Sequence, residues 1–297
     1  MTPAPPDFRR IGLVTKPVRR TVPETLRRVA AFLGGRQHTV RLDTASATLL
    51  DPGGEAGLPL PALVREVDLL VVIGGDGTLL HAARAAAEAG VPVAGINLGR
   101  LGFLTDISPA RATESLARIL DGQYVEDPRC LLEASLATTD GGRPSCTALN
   151  DVVLHKWNTA RLVEFETYID GRFVNSQRSD GLVVSTPTGS TAYALSGGGP
   201  LLQPGLDALV LVPLCPHTLS NRPLVVAGSS VIDIRVCGRT DPAQLRVTCD
   251  GQDTLPVCTD EPVRIRKHAR AIRLIHPAGH DHFELLRAKL GWSESPR

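Results

Sequence analysis

The chain has 297 residues, of which 42% are hydrophobic and 21% are charged, and its formal net charge is +1. This length allows two domains with separate cores, and the composition is that of a globular protein in water. The near-zero net charge argues against nucleic acid or an anionic membrane as a partner, and no apolar run is long enough to cross a membrane. Because the N-terminus lacks the apolar segment of a signal peptide, we expect a cytoplasmic protein.

The first third of the chain alternates predicted strands with predicted helices. The strands are expected at 11–15, 38–42, 69–73 and 91–96, and the helices at 23–33, 78–89 and 109–120. This alternation predicts a parallel sheet with right-handed crossovers, which is a Rossmann-like α/β domain over residues 1–122. The segment 44–59 is polar and has no periodicity, so it is predicted to be a long loop without an assignable role.

The most informative stretch of this domain follows the strand at 69–73. Glycines 74, 75 and 77 surround a single acid, Asp76, and helical spacing begins at Thr78. A strand, a glycine turn and a helix together direct backbone N–H groups and a helix N-terminus at one point, which suits a phosphate. A carboxylate there either holds a cation or removes a proton from an attacking hydroxyl. The alternative is an ordinary tight turn in which Asp76 caps the helix.

From residue 123 onward the pattern changes to short β-rich segments separated by turns. Asp170 and Gly171 form a typical hairpin turn between two of these segments. We therefore predict a second, mostly β domain over 123–275. The remaining residues, 276–297, are predicted to return toward the first domain and to contain a short helix near 283–290.

One segment of the second domain is unusually rich in hydroxyl groups. Between residues 185 and 196 six serine and threonine side chains surround one aromatic residue, Tyr193. Hydroxyl and backbone N–H groups can hold ribose and phosphate, and a tyrosine face can stack on a base. The alternative is a loop whose hydroxyls bond to its own backbone, and it stays open on this pattern alone.

Neither histidines nor cysteines give a recognisable metal motif. His276, His280, Asp281 and His282 are close in sequence, but their spacing fits neither one helix face nor a known zinc pattern, so no metal-binding residue is predicted. The six cysteines contain no C-x-x-C pair, and we expect neither a zinc site nor a disulfide framework. A P-loop motif and a G-x-G-x-x-G motif after a strand are both absent.

Taken together, these segments resemble the ATP-NAD kinase family over nearly the whole chain. The residues that carry the resemblance are 74–78 (Gly-Gly-Asp-Gly-Thr), 95–105, 149–151 (Leu-Asn-Asp), 177–181, 186–193, 216–220, 250–252 (Asp-Gly-Gln) and 289–292. The first motif is shared with lipid kinases and phosphofructokinases, so the later motifs discriminate. The resemblance implies an N-terminal α/β domain similar to that of phosphofructokinase and diacylglycerol kinase, and a β-sandwich-like C-terminal domain. It also implies an active site between the two domains that is completed by oligomerisation.

The same resemblance implies a reaction and a set of site residues. The γ-phosphate of ATP would pass, with Mg²⁺ or another divalent cation, to the 2′-hydroxyl of the adenosine ribose of NAD, and Asp76 would be the general base. The residues expected to bind the nucleotides are Gly74, Gly75, Gly77, Thr78, Asn97, Asn150, Asp151, Arg161, Arg178, Asp180, Thr188, Thr191, Ala192, Tyr193, Ala194, Leu195, Ser196 and Gln252. Asp151 stands where the family usually has glutamate, so its carboxylate is one methylene shorter. In bacterial members, an arginine in the place of Arg178 is associated with a preference for NAD over NADH.

Two other functions are compatible with parts of the sequence. A lipid or sugar kinase would use the same glycine turn, but no amphipathic segment that could face a membrane is found. A non-catalytic sensor of NAD(H) would tolerate loss of Asp76, which is present. The sequence does not distinguish ATP from polyphosphate as the donor, NAD from NADH as the acceptor, or a homodimer from a homotetramer.

Overall fold

The computed structural model describes residues 8–16, 22–54, 57–99, 102–136, 142–218, 220–237, 240–257 and 261–292. The chain divides into two compact units. The first comprises Met1–Pro128 and Ile272–Arg297, and the second comprises Arg129–Ala271. None of the described helices is long and apolar enough to cross a membrane.

The secondary structure of the described residues contains sixteen strands and seven α-helices. The strands are β1 Arg10–Thr15, β2 Thr39–Leu42, β3 Leu69–Gly74, β4 Val93–Asn97, β5 Tyr124–Leu136, β6 Ser145–Ala148, β7 Asp151–Lys156, β8 Val163–Ile169, β9 Arg172–Ser179, β10 Gly181–Ser185, β11 Ala208–Leu214, β12 Leu224–Ala227, β13 Ile232–Val236, β14 Leu245–Cys249, β15 Asp253–Pro256 and β16 Val263–Pro277. The helices are α1 Val22–Gly35, α2 Thr44–Leu50, α3 Leu60–Leu63, α4 Asp76–Ala89, α5 Ala112–Leu120, α6 Tyr193–Ser196 and α7 His282–Leu290. Three short 3-10 helices cover Pro109–Arg111, Gly189–Thr191 and Pro242–Gln244.

The first unit contains the predicted parallel sheet. Its strand order is β2-β1-β3-β4, and the last part of β16 runs parallel to β4, with Leu274 opposite Val93. Strand β3 is central and all six of its residues are buried, which is the environment that its continuous apolar run predicts. Helices α1 and α5 cover the sheet with fully buried side chains such as Leu26 and Leu116. The prediction of a parallel α/β fold is therefore confirmed.

One expectation for this unit is wrong. The segment 44–59 is not a continuous loop, because residues 44–50 form helix α2. The side chain of Asp43 accepts a hydrogen bond from the backbone N–H of Ser46 at 2.9 Å, so it caps the helix N-terminus. Seven residues are too few for a helical period to appear in the sequence, and the capping Asp43 was the only available signal.

The second unit is built from antiparallel strands. One sheet has the order β12-β11-β10-β7-β14-β15, and other strands pair in the order β16-β13-β8-β9. Both sets contribute to one buried apolar core, for example Leu154 from β7, Phe165 from β8 and Ile234 from β13. This arrangement confirms the predicted β-sandwich-like domain. Asp170 and Gly171 have φ values of 50° and 76° at the β8–β9 turn, as a two-residue hairpin requires.

The expectation that no cysteines are paired is also wrong. Cys146 of β6 and Cys249 of β14 form a disulfide within the second unit. The partners are separated by 103 residues, so no local spacing could reveal them. Cys130, Cys215 and Cys237 are free. The bridge joins two strands that also share the buried core, and it restricts the unfolded chain over a long loop.

The disulfide leads to a stability prediction. We expect Cys146→Ala to lower the free energy of unfolding by about 2–4 kcal/mol, because the unfolded chain regains its loop entropy. Urea unfolding monitored by circular dichroism measures this difference, and Cys237→Ala serves as a control because that thiol is free. Thiol titration of the denatured protein should detect two additional thiols after reduction. The disulfide would be contradicted if Cys146→Ala had the same urea midpoint as wild type and if reduction of the denatured wild type released no additional thiols.

Candidate active site

The glycine turn at the end of β3 is closely fitted to the start of α4. Gly75 is the N-cap residue, and Asp76 is the first helical residue. A Cβ atom added to Gly74 would lie 2.6 Å from Oγ1 of Thr78, so only glycine fits there without a shift. Gly75 and Gly77 are exposed. The first turn of a 14-residue helix is thus accessible to an anion.

The carboxylate of Asp76 points away from its own helix and is held by residues 103–105. Its Oδ2 accepts a hydrogen bond from the N–H of Phe103 at 2.8 Å. Its Oδ1 accepts from the N–H of Leu104 at 3.2 Å, the N–H of Thr105 at 3.1 Å and the Thr105 hydroxyl at 2.9 Å. No side-chain hydrogen bond caps α4. The alternative interpretation of Asp76 as a capping residue is therefore excluded.

The sheet brings these two segments together. Gly74 of β3 lies opposite Asn97 of β4, so the carboxyl ends of neighbouring parallel strands meet at the glycine turn. The Asn97 side-chain amide donates to the Thr105 carbonyl at 3.2 Å, and its oxygen accepts from the Gly99 N–H at 2.7 Å. Asn97 thus supports the loop that follows β4. A Cβ atom on Gly102 would lie 2.0 Å from Oδ1 of Asp76, so the loop approaches the carboxylate only because residue 102 is glycine.

The second unit contains a cavity of about 580 Å³ on the face of its six-stranded sheet that carries the hydroxyl-rich segment. Five of the predicted nucleotide-binding residues line it, and they are Asn150, Asp151, Asp180, Ala192 and Tyr193. The Tyr193 side chain is 48% exposed, so a ring face is available for stacking. The volume is in the range of small-molecule binding sites.

Asp250 determines the backbone conformation on one side of this cavity. Its carboxylate accepts hydrogen bonds from the N–H groups of Leu149 at 2.9 Å and Asn150 at 2.7 Å, and a longer one from Asp151. Asp151 is 5% exposed. Burial and the negative charge of Asp250 raise the pKa of Asp151 to about 7, and a hydrogen bond from the Tyr193 backbone offsets them only in part.

An ion pair lies in the same cavity. Nζ of Lys156, the last residue of β7, is 2.6 Å from a carboxylate oxygen of Asp180. The Lys156 N–H also donates to the Asp180 carbonyl at 2.9 Å. About 30% of each side chain remains exposed, at 29% and 32%. The pair fixes the position of a predicted site residue and adds a cation to the cavity.

The hydroxyl-rich segment is partly a self-bonded loop and partly a cavity wall. The Thr186 hydroxyl donates to the Leu149 carbonyl, and the Ser190 hydroxyl to the Pro187 carbonyl, each at 2.6 Å. Both side chains are fully buried, so these hydroxyls serve the backbone. Ala192 and Tyr193, which follow them, reach the cavity. Thr186 and Ser190 therefore fit the interpretation as a self-bonded loop, whereas Ala192 and Tyr193 fit the interpretation as part of a binding site.

The structure places the other predicted residues of the second unit outside the cavity lining. Arg161, Arg178 and Gln252 are exposed, and Thr188 is buried with its hydroxyl 3.1 Å from an Arg129 guanidinium nitrogen. The other members of this group belong to the 3-10 helix and helix α6, and they are Thr191, Ala194, Leu195 and Ser196.

Sequence reasoning missed several residues of the cavity. These are Val153, His155, Lys156, Leu214, Thr248, Asp250 and Gly251. A signal was available for some of them, because alternate residues of a strand face the same side. Asp151 was predicted, so Val153 and His155 on β7 follow from the two-residue period. Thr248 lies opposite Val153 on the neighbouring strand and could not be assigned without the register.

Comparison with known proteins agrees with the resemblance in the sequence. The model of the ATP-NAD kinase N-terminal domain matches residues 60–124, and that of the C-terminal domain matches residues 149–277. The NAD kinase of Nitrosococcus oceani is 48% identical over 286 residues, which cover 96% of this chain and 97% of that protein. The NAD kinase of Hahella chejuensis is also 48% identical, over 97% of both chains.

Two solved structures have the same fold along nearly the whole chain. Yeast NADH kinase in complex with NADH superposes with a TM-score of 0.88 at 26% identity, covering 99% of this chain and 90% of that one. An NAD kinase from Archaeoglobus fulgidus in complex with ATP gives a TM-score of 0.71 at 26% identity, with coverages of 94% and 99%. The predicted fold class, the predicted enzyme class and the predicted NAD kinase function are confirmed. The chain belongs to the ATP-NAD kinase family.

Proposed function

We propose that Asp76 is the general base in transfer of the γ-phosphate of ATP to the 2′-hydroxyl of the adenosine ribose of NAD. The hydroxyl proton passes to Asp76, the hydroxyl oxygen bonds to the γ-phosphorus, and the bond to the β-phosphate oxygen breaks to release ADP. The products are ADP and NADP. The observation that carries this proposal is the carboxylate of Asp76, held at the N-terminus of α4 beside a glycine turn.

The two carboxylate oxygens of Asp76 differ in their capacity to accept a proton. Oδ1 accepts three hydrogen bonds from residues 104 and 105, whereas Oδ2 accepts one, from Phe103. A carboxylate oxygen has room for about two such bonds. We therefore assign Oδ2 as the atom that receives the proton. The N–H groups that hold the carboxylate orient it before substrate arrives, so little reorganisation is needed during the reaction.

The residues of the second unit are proposed to bind NAD. The exposed Tyr193 ring offers a face for a base, and the Asn150 side chain offers both donors and an acceptor. The carboxylates of Asp151 and Asp180 can accept hydrogen bonds from ribose hydroxyls. For the remaining members of the predicted set, including Arg161, Arg178 and Gln252, the proposed contacts with NAD rest on the family resemblance alone.

The divalent cation is proposed to arrive with ATP. Among the described residues, one group of three side chains could hold a metal ion, and it consists of Asp106, His276 and His280. Mg²⁺ prefers an octahedral set of oxygen ligands, so a group with two imidazoles does not suit it. The ion would therefore be held mainly by the phosphates of ATP, where it neutralises charge. A cytoplasmic homodimer or homotetramer remains part of the proposal on the family resemblance.

The first test is NADP formation from NAD and Mg-ATP by wild type and by Asp76→Asn. We expect the variant to lose about 100- to 10,000-fold in kcat, equivalent to about 3–5 kcal/mol, because the proton acceptor is removed. The variant should stay folded and should still bind NAD in calorimetry, although its melting temperature will fall because the amide NH2 group cannot accept the hydrogen bonds that one carboxylate oxygen accepts. Parallel reactions with NADH and with polyphosphate determine the preferred acceptor and donor. Near-normal turnover of Asp76→Asn would refute the general base, and NAD binding without turnover by wild type would favour the sensor.

A second test concerns the space around the carboxylate. Gly102→Ala would place a methyl group 2.0 Å from Oδ1 of Asp76 and 2.5 Å from the Thr105 hydroxyl, so the carboxylate must move. We expect kcat to fall by about 100-fold or more, as for a displaced catalytic group. Gly35→Ala is the control, because a Cβ atom at Gly35 contacts nothing within 4 Å. Equal activity of the two variants would contradict the geometry of this loop.

A third test follows from the raised pKa of Asp151. The folded pKa of about 7 exceeds the usual unfolded value near 3.9, so folding requires proton uptake between these values and stability falls as pH rises through this range. This residue should reduce the free energy of unfolding by roughly 2–3 kcal/mol between pH 5 and pH 8. Asp151→Asn should lack that part of the pH dependence. Parallel stability–pH curves for the two proteins, measured by urea unfolding, would contradict the raised pKa.

A further inference from the structure

A cluster of one acid and two histidines, of which His276 is buried and the other two are partly buried, adjoins the loop that holds Asp76. Oδ2 of Asp106, the residue after Thr105, is 2.8 Å from Nδ1 of His276 and 2.8 Å from Nδ1 of His280. The two imidazole rings are stacked, with centroids 3.9 Å apart and planes inclined by 14°. The His276 side chain is 1% exposed. We call these three residues the Asp106 cluster.

The charges around the cluster favour a protonated histidine beside an ionised acid. Burial opposes charge on His276, but hydrogen bonding to Asp106 and the nearby Asp127 carboxylate, 3.6 Å from Nε2, raise its pKa overall. Burial would raise the pKa of Asp106, yet hydrogen bonds from both histidines lower it to about 2. The Asp106 cluster is therefore held by charge-assisted hydrogen bonds, with His276 buried and with Asp106 and His280 lining a cavity of about 420 Å³.

The ring geometry favours hydrogen bonds over a bound metal. The ligand atoms of the three side chains all lie within 4.8 Å of one another, which is close enough for an ion to be considered. An imidazole binds a metal in the plane of its ring, along the nitrogen lone pair. The two imidazole planes are nearly parallel and are stacked about one ring thickness apart. An ion that lies in the plane of one ring therefore lies outside the plane of the other, so it cannot bind both rings along their nitrogen lone pairs. As the rings stand, Oδ2 of Asp106 lies within hydrogen-bond distance of Nδ1 of both, whereas the buried Nε2 of His276 has no hydrogen-bond partner among the described residues.

We propose that the Asp106 cluster is a positioning device for Asp76, which it serves by fixing the loop that carries residues 103–105. This inference rests on the proposed role of Asp76 as the general base. The three N–H groups and the hydroxyl that hold the Asp76 carboxylate belong to the three residues immediately before Asp106. His276 is the residue before the last of β16, a strand of the same sheet, and His280 follows in the loop before α7. The hydrogen bonds of Asp106 thereby connect the loop to residues 170 and 174 positions later in the sequence.

Among the described residues of the loop, Leu104, Thr105 and Ile107 are buried, and backbone hydrogen bonds fix the loop on both sides of Asp106. On its C-terminal side, Ile107 pairs with β4 through its N–H to the Gly95 carbonyl at 3.2 Å and its carbonyl to the Asn97 N–H at 2.8 Å. On its inner side, the Asn97 amide reaches the Thr105 carbonyl. Between these, the Asp106 side chain points to the histidines and sets the rotation of the adjoining peptide. Loss of this contact would let the donors turn away from the Asp76 carboxylate.

The kinetic experiment compares Asp106→Ala with Asp106→Asn. The alanine variant removes the contact, and we expect kcat to fall by about 10- to 100-fold while KM for NAD and for ATP changes by about twofold or less. The asparagine variant keeps an acceptor oxygen but loses the charge, so it should retain much more activity. In the Asp76→Asn background, Asp106→Ala should cause no further loss of kcat, because its effect acts through Asp76.

A structural readout is independent of the reaction. Hydrogen exchange should become faster by about tenfold or more at the amides of residues 103–105 in Asp106→Ala, since these N–H groups are then free to turn away from the Asp76 carboxylate. Asp121→Asn is the matched control. Asp121 pairs with Arg36 at the surface of the same unit and is 51% exposed, so that variant should keep both normal kcat and normal exchange.

Several outcomes would overturn the inference. They are unchanged exchange at 103–105, an equal loss of kcat in the wild-type and Asp76→Asn backgrounds, or a melting temperature that rises with Zn²⁺ and falls with chelator, which would identify a metal site. If Asp76→Asn is itself active, the general base is refuted, and the exchange data still decide whether the Asp106 cluster fixes the loop. If Asp106→Ala does not fold, His280→Gln replaces it in the kinetic and the exchange measurement, and Asp106→Asn stays the conservative variant.

Discussion

The candidate active site of the first unit depends on the hydrogen bonds between the Asp76 carboxylate and residues 103–105. These contacts join segments 27 to 29 residues apart, and two neighbouring parallel strands bring them together. A buried or half-buried carboxylate is stable only when its oxygens are hydrogen-bonded. The loop therefore provides for both the stability of the acid and its orientation. Glycines at 74 and 102 are required because the backbone approaches Thr78 and Asp76 too closely for any Cβ atom.

In the second unit, too, a carboxylate accepts hydrogen bonds from backbone N–H groups of a segment that is distant in the sequence. Asp250, in the turn between β14 and β15, accepts N–H groups of residues 149–151 and so fixes the start of β7. That contact places the buried Asp151 beside another negative charge, with a raised pKa as the consequence. In both units an acid of one turn holds the backbone of another segment, or is held by it. Backbone N–H groups are suited to this because their direction is set by the surrounding fold rather than by a side-chain rotamer.

The sequence predicted what is local and missed what is distant. The strand, glycine turn and helix at residues 69–89 were predictable because burial on both faces, turn residues and helical spacing all appear within about twenty positions. His276 and His280 matched no motif because their partner, Asp106, lies 170 and 174 residues earlier. The pairing of Cys146 with Cys249 and the ion pair of Lys156 with Asp180 were hidden for the same reason. Such contacts are set by strand register, which no short pattern encodes.

The shorter side chain at position 151 can be understood from these contacts. A carboxylate on Asp151 stays near the backbone of β7, where it is 5% exposed and faces Asp250, and this location raises its pKa to about 7. A glutamate would carry its charge one methylene further along the cavity, away from the strand. Because neutral and ionised Asp151 are both populated near pH 7, the residue can donate a hydrogen bond as well as accept one. Its short reach is thus coupled to burial beside Asp250 and, through that burial, to a raised pKa.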